Sequence, residues 1–202
     1  RLNSHLPGPD ELPLAVMRLP ETVSHAIAVD LQAARLYLLE NNGNGLTVRK
    51  SMYASMGREG YGKEVEGDNR TPLGVYRVTS WLDGGRLPDL YGSGAFPVDY
   101  PNDWDRKLRR TGFGIWLHGV PSNSYTRPPR SSEGCVTVAN ADLIALRDYV
   151  VPGQTPVIFA DRLEWASRDE SQRELSQFES VLERWRRDWA SLDTDAYMSH
   201  YA

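Results

Sequence analysis

The chain opens with short apolar runs divided by turn residues, and this pattern restricts it to a fold rich in short β-strands. Residues 26–30 and 35–39 form two such runs with a polar connection, and residues 46–54 form a third. The Asn- and Gly-rich stretch 41–45, in front of the third run, is typical of a hairpin turn. This part of the chain is therefore predicted to be a β-meander.

The middle of the chain alternates between strand-like runs and loops. Residues 57–69 are polar and glycine-rich, and residues 83–112 show little periodicity, so both are predicted to be loops. The second loop contains Phe96, Tyr100 and Trp104, and such aromatic content favours an ordered wall of a cleft over disorder. Further strands are predicted at 75–81, 114–117, 136–138 and 155–160.

Two stretches have helical spacing. Residues 141–150 follow Asn140, a residue type that often caps a helix, and residues 171–191 place apolar side chains at steps of three and four. The proline-rich residues 1–23 are predicted to be an extended lead-in. The fold class predicted is a mostly-β protein with one or two short helices and a C-terminal amphipathic helix.

Composition excludes several functions. The 202 residues carry a net charge of −4, so no basic surface for nucleic acid is expected. No apolar run approaches the roughly 20 residues of a membrane span. The single cysteine excludes an internal disulfide. We expect no metal and no other cofactor, because the chain lacks ligand pairs at HxxxH or CxxC spacing and lacks a phosphate-binding glycine motif.

That single cysteine, Cys135, is a candidate nucleophile. It precedes a strand-like run, and His118 closes another run 17 residues earlier. A thiol and a histidine at strand edges are what a thiol nucleophile with its base requires. Composition alone favours the opposite interpretation, a small buried hydrophobic residue.

Two glycines support the catalytic interpretation. Gly134 permits a turn that aims two amide N–H groups at one point, as an oxyanion hole requires. Gly119 leaves a carbonyl free to orient the imidazole of His118. Ser132 either donates to a substrate or braces the turn.

Three motifs in this order resemble the YkuD-type L,D-transpeptidase catalytic domain: TPLGVY at 71–76, GIWLHG at 114–119 and SEGC at 132–135. The resemblance covers roughly residues 24–160 and implies a β-sandwich or barrel-like fold. Residues 100–102 and 127–130 are most similar to a murein transpeptidase subgroup, whose members often carry an NTF2-like domain after the catalytic one. Residues 185–197 resemble the first helix of such a domain.

The resemblance implies three segments. Residues 1–23 are the lead-in and residues 24–162 the catalytic domain. Residues 163–202 contain the C-terminal helix, as the start of an NTF2-like domain.

The resemblance also implies roles for the site residues. Cys135 becomes the nucleophile and His118 its base, the Gly119 carbonyl orients His118, and the amides of Gly134 and Cys135 form the oxyanion hole. Two positions depart from the family pattern: Glu133 stands where many members have His or Arg, and Thr137 where many have Arg. Recognition of the substrate carboxylate is therefore expected to fall to Arg127 or Arg130 on the neighbouring loop. The other substrate-binding candidates are Ser132, Thr137 and Trp116.

The implied function is peptidoglycan L,D-transpeptidation. The tetrapeptide stem forms a thioester with Cys135 and loses D-alanine, and the acyl group is then transferred to an amine acceptor, which can belong to an envelope protein. Two alternatives stay open. The first is an L,D-carboxypeptidase that uses water as the acceptor, as in relatives that trim peptidoglycan and affect cell shape. The second is a non-catalytic peptidoglycan-binding module. A papain-like or NlpC/P60-type peptidase is disfavoured, because there the cysteine precedes the histidine.

The substrate implies a location in the periplasm or cell envelope. We expect an export signal to have preceded Arg1, since the sequence begins without Met. The expected partners are peptidoglycan stems, and neither nucleic acid nor a membrane span is expected.

Overall fold

The computed structural model describes residues 7–8, 10–42 and 45–201. The predicted turn at 41–45 and the predicted lead-in at 1–23 therefore lie partly outside the described residues. Within them, residues 19–163 form one compact unit, and residues 7–18 with 164–201 form a second.

The described residues contain thirteen strands and four α-helices. The strands are β1 (Glu11–Pro13), β2 (His25–Asp30), β3 (Arg35–Asn41), β4 (Leu46–Tyr53), β5 (Met56–Gly57), β6 (Gly74–Arg77), β7 (Leu82–Asp83), β8 (Gly94–Pro97), β9 (Trp116–His118), β10 (Arg130–Ser132), β11 (Val136–Thr137), β12 (Pro156–Ala160) and β13 (Trp165–Ser167). The helices are α1 (Asp103–Lys107), α2 (Asn140–Arg147), α3 (Arg168–Ala190) and α4 (Thr194–Met198).

The first unit is built on a five-stranded sheet in the order β4-β3-β2-β12-β6. The predicted meander forms one side of it, with β2 antiparallel to β3 and β3 antiparallel to β4. Strand β12 lies between β2 and β6; it pairs parallel with β2 and antiparallel with β6. The central strands are continuous apolar runs because they are buried on both faces; Ala26, Ile27, Ala28 and Val29 are all fully buried.

A second sheet of four strands, in the order β11-β9-β8-β7, contains the strand of the GIWLHG motif, β9, and the strand that follows the SEGC motif, β11, whereas the TPLGVY motif leads into β6 of the first sheet. Strand β11 runs parallel to β9, and β8 is antiparallel to both β9 and β7. The short strand β10 pairs parallel with β5 beside this sheet. Leu117 of β9 and Val136 of β11 are fully buried in the hydrophobic core.

The prediction of a loop over residues 83–112 was wrong. Strand β8 lies there, inside the second sheet, and Phe96 and Tyr100 are buried in the core rather than exposed on a cleft wall. Gly94 contributed to the prediction of a loop, but it is needed for close packing. A Cβ at this position would lie 2.5 Å from the Trp81 ring. Trp104 lies on α1 and is exposed.

Two short helices complete the first unit, in agreement with the predicted number. Asn102 and Asp105 form a reciprocal capping box at the start of α1. Helix α2 packs Leu143 and Leu146 into the core. Its N-cap is Ala139, so the prediction that Asn140 caps this helix was wrong.

The second unit joins the ends of the described chain. Strand β1, within the predicted lead-in, pairs antiparallel with β13. Helix α3 begins at a capping box of Ser167 and Glu170, three residues before the predicted helix start. The predicted C-terminal helix is confirmed, whereas the assignment to an NTF2-like domain stays a prediction. None of the helices in the described part has the length and apolar character of a membrane span.

Two neighbouring residues on α2 allow a test of how much the packing of this helix contributes to the stability of the first unit. Leu143 is 0% exposed and Ile144 is 45% exposed. We expect Leu143→Ala to lower the free energy of unfolding by about 2–5 kcal/mol, through lost burial and the cavity left behind. Ile144→Ala is the matched control and should change it by about 0.5 kcal/mol or less. Urea denaturation of both variants measures the difference, and equal losses would contradict the packing described.

Candidate active site

The parallel pairing of β9 and β11 brings the two predicted catalytic residues together. The register sets Val136 opposite Leu117 and Thr137 opposite His118. Cys135 directly precedes β11 and so lies beside Trp116, two positions along β9 from His118. Because side chains alternate between faces, Leu117 and Val136 point into the core, and His118 lies on the opposite face.

His118 is buried and neutral. Its side chain is held by Nδ1, which lies 2.7 Å from the Gly119 carbonyl oxygen, and by the Tyr91 ring, whose centroid lies 5.0 Å away in an edge-on arrangement. Burial lowers the pKa of His118 to about 4; the Gly119 carbonyl opposes this shift and the charge of Arg127 adds to it. Since Nδ1 donates to a carbonyl, Nε2 carries the lone pair that a base requires.

Asn140 braces the backbone around His118, a role that sequence reasoning missed. Its Oδ1 accepts hydrogen bonds from the N–H groups of Ser93 (2.9 Å) and Val120 (3.2 Å), and its Nδ2 donates to the Val120 carbonyl at 2.8 Å. The amide fits only because position 119 has no side chain: a Cβ on Gly119 would lie 2.1 Å from Oδ1. In the sequence, Asn140 is a polar residue at the start of an amphipathic helix, and this position predicts a helix cap as readily as a bracing role.

Cys135 is a free cysteine and is partly exposed. Burial raises the pKa of its thiol to about 11; the Trp116 amide and the positive charges of Arg127 and Lys63 oppose this, and Glu133 adds to it. The thiol donates to the Gly114 carbonyl at 3.4 Å, and within the described residues it makes no hydrogen bond to His118. Both pKa shifts favour a neutral thiol and a neutral imidazole at neutral pH, in keeping with the predicted role of His118 as a base. Such contacts often tighten only when substrate binds.

Ser132 braces the turn in front of Cys135. It is buried, its Oγ accepts from the Gly134 N–H at 3.2 Å, and it donates to the Cys135 carbonyl at 2.5 Å. Of the two roles predicted for Ser132, the structure supports bracing, because both functions of the hydroxyl are taken within the protein. Gly134 has φ +126°, and a Cβ there would lie 2.8 Å from the Arg70 carbonyl oxygen.

The two predicted oxyanion donors differ in availability. The Gly134 N–H already binds Ser132. The Cys135 N–H has no hydrogen-bond acceptor among the described residues. The Cys135 amide is therefore the donor that is free to meet a developing negative charge.

The structure separates the two predicted arginines. Arg127 donates to the Leu90 carbonyl at 3.4 Å and lies close enough to lower the pKa values of both His118 and Cys135. Arg130 instead lines a cleft of about 620 Å³ together with Gln32, Arg35, Tyr53 and Met56. Of the two arginines, Arg127 is the one whose charge acts on both His118 and Cys135.

The remaining residues that the sequence singled out differ in their exposure to solvent. Thr137 is buried, and its hydroxyl has no partner among the described residues, so its contact with substrate stays a prediction. Trp116 is partly exposed, with its ring centroid 4.8 Å from that of Tyr91, and remains accessible. Glu133 is exposed and lies 3.7 Å from Arg58. No group of three His, Cys, Asp or Glu residues suited to a metal ion occurs in the described part of the chain.

Comparison with known proteins agrees with this geometry. A family model for the L,D-transpeptidase catalytic domain, YkuD, matches residues 24–159. The chain belongs to the YkuD family. The resemblance carried by the three motifs is thereby confirmed, and L,D-transpeptidation of peptidoglycan is the activity of this family.

Two solved structures are similar over most of the chain. Bd1075 of Bdellovibrio bacteriovorus shares 31% identity with a TM-score of 0.80, and the match covers 94% of this chain and 68% of Bd1075. Pgp2, the helical cell shape determining protein of Campylobacter jejuni, shares 24% identity with a TM-score of 0.71; the match covers 87% of this chain and 60% of Pgp2. The search of curated proteins found no match.

The raised pKa of Cys135 predicts how the thiol reacts. Only the thiolate reacts with iodoacetamide, so with a pKa of about 11 the alkylation rate should rise about tenfold per pH unit between about pH 7 and 10. Intact-mass measurement of the labelled fraction over time gives this rate. The urea-unfolded chain is the control and should level off above about pH 9, as an ordinary thiol does. A plateau in the folded protein below about pH 8 would instead indicate a thiolate–imidazolium pair.

Proposed function

We propose that this YkuD domain is a cysteine-dependent peptidoglycan L,D-transpeptidase that acts on tetrapeptide stems. The observation that carries the proposal is the position of Cys135 beside β9, where a buried, neutral His118 lies two residues away. A neutral imidazole with a fixed tautomer is ready to accept a proton, and the free Cys135 amide is ready to donate to an oxyanion.

The first half-reaction forms a thioester. His118 Nε2 takes the thiol proton while Sγ bonds to the carbonyl carbon of the third stem residue, a diamino acid. The oxyanion that forms is stabilised by the Cys135 N–H. The carbon–nitrogen bond to the terminal D-alanine then breaks, and His118 returns the proton to the departing amine.

The second half-reaction decides the product. An amine that attacks the thioester gives a 3→3 cross-link or an attached envelope protein, and Sγ leaves as the thiol. Water in the same position gives the tripeptide, which is L,D-carboxypeptidase activity. Exclusion of water while a second peptide binds separates the two outcomes. Either activity would alter the cell wall, consistent with the role in cell shape for which Pgp2 is named.

Arg127 is the proposed ligand for a substrate carboxylate. Its guanidinium lies near enough to Cys135 and His118 to influence both, and among the described residues it has no acidic partner. A carboxylate of the stem would complete a charge-assisted hydrogen bond there. Arg130, in its cleft with Arg35, is the second candidate and would contact a more distant part of the substrate.

The substrate places the proposed site of action in the periplasm or cell envelope. The chain spans 68% of the length of Bd1075 and 60% of that of Pgp2. Because the match does not cover the full length of these two proteins, the overall activity and the choice of acceptor belong to the proposal.

The proposed activity is tested with a disaccharide-tetrapeptide and mass spectrometry. Loss of D-alanine with an acyl adduct on Cys135 is expected, and Cys135→Ala should abolish both. A peptide dimer identifies transpeptidation, and a tripeptide identifies the carboxypeptidase. Substrate that binds but stays intact, without an adduct, would identify a non-catalytic binding module and overturn the proposal.

The role of Arg127 is tested by removing its charge. We expect Arg127→Gln to raise KM for the tetrapeptide by about tenfold or more, because a hydrogen bond to a charged group contributes about 1.5–3 kcal/mol. Arg130→Gln is the matched control for loss of one positive charge, and its effect should be smaller. If the double variant has an unchanged KM, recognition of the carboxylate lies elsewhere.

A further inference from the structure

We infer that Thr71 is a positioning residue that sets the direction of the Cys135 amide N–H. The inference rests on the proposed function, in which this N–H stabilises the oxyanion. Thr71 belongs to the TPLGVY motif, lies 63 residues before Gly134 in the sequence and does not touch the reacting atoms.

The donor and acceptor roles of the Thr71 hydroxyl are fixed by its two partners. Its side chain is 0% exposed, and its Oγ1 lies 2.9 Å from the Gly57 nitrogen and 2.9 Å from the Gly134 carbonyl oxygen. The Gly57 N–H can only donate, so Oγ1 must accept from it. The single hydroxyl proton is therefore committed to the Gly134 carbonyl.

This bond fixes the peptide unit that carries the nucleophile's amide. In a planar trans peptide, the carbonyl of one residue and the N–H of the next point in opposite directions. Drawing the Gly134 carbonyl toward Thr71 therefore aims the Cys135 N–H away from Thr71. Gly134 needs this restraint because it has no Cβ to limit rotation of the peptide plane.

The other polar groups of the turn are already occupied. Ser132 holds the Gly134 N–H and the Cys135 carbonyl, and Thr71 holds the Gly134 carbonyl. Of the four backbone groups of Gly134 and Cys135, the Cys135 N–H alone has no partner within the described residues. Thr71 and Ser132 thus leave this single donor unoccupied and fixed in direction.

Thr71 is itself held firmly. Its N–H donates to the Gly60 carbonyl at 2.9 Å, and its carbonyl accepts from the Gly62 N–H at 2.8 Å. Gly57 packs so closely that a Cβ there would lie 2.4 Å from the Asn69 carbonyl oxygen. The loop 57–71 is therefore closed on itself, and the hydroxyl of Thr71 is a rigid reference for the turn.

The test compares two reagents that differ in one respect. A carbapenem acylates Cys135 through an oxyanion: Sγ bonds to the lactam carbonyl carbon, the ring carbon–nitrogen bond breaks, and the nitrogen takes the thiol proton through His118. Iodoacetamide alkylates the same sulfur by displacing iodide from a saturated carbon, and no oxyanion forms. A misdirected Cys135 N–H slows only the first reaction.

We expect Thr71→Val, which keeps the size of the side chain and removes the hydroxyl, to lower the acylation rate about 10- to 100-fold. Its alkylation rate should stay within about twofold of wild type, as thiol access and pKa are largely unchanged. Thr71→Ser retains the hydroxyl and should recover most of the acylation rate. Circular dichroism and thermal denaturation verify folding, and Thr71→Ala replaces the valine variant if that variant does not fold.

The outcomes separate the inference from the proposed function. Equal acylation rates for wild type and Thr71→Val, or equal losses in acylation and alkylation, would overturn the role of Thr71 alone. A wild-type protein that is alkylated but never acylated would overturn the proposed function together with the oxyanion donor. A selective loss in Thr71→Val that Thr71→Ser restores supports both.

Discussion

The active site depends on a parallel pairing between two very short strands. Strand β9 has three residues and β11 has two, so their own hydrogen bonds are few. The other edge of β11 is held by Ser55, which exchanges backbone hydrogen bonds with Thr137 at 2.8 and 3.0 Å. Leu117 and Val136 anchor the same strands in the core. The distance between thiol and imidazole is thus set by core packing and by a third segment.

Burial determines the charge state of the catalytic pair. It lowers the pKa of His118 and raises that of Cys135, so both groups rest uncharged at neutral pH. An ion pair would need solvent or strong partners, and the nearest positive groups, Arg127 and Lys63, only partly offset the desolvation of the thiol. Lys63 is already bound to Asp68 at 2.7 Å, which weakens its influence further. In the proposed mechanism the thiol therefore loses its proton during the attack rather than before it.

Sequence patterns predicted the parts of this structure that depend on local periodicity. The meander, the motif strands and helix α3 follow from alternation and helical spacing, and the order of motifs predicted the family. Strand β8 was missed because Gly94 and Pro97 resemble loop residues, although Gly94 is required by the Trp81 ring packed against it. The separation of Arg127 from Arg130, and the bracing by Asn140, depend on contacts between distant segments that no local pattern encodes.

A neutral resting pair places a particular demand on its surroundings. In the proposed reaction, attack by Sγ forms an imidazolium and an oxyanion together from uncharged groups, so their stabilising partners must be oriented beforehand. The Gly119 carbonyl faces the imidazolium, and the Cys135 amide faces the oxyanion. Asn140 accepts from the Val120 N–H, which belongs to the same peptide unit as the Gly119 carbonyl, while Thr71 directs the Cys135 amide. Preorganisation of the proposed site thus resides in two polar side chains outside the His–Cys pair, the part-buried Asn140 and the buried Thr71, each fixing one peptide group that meets a new charge.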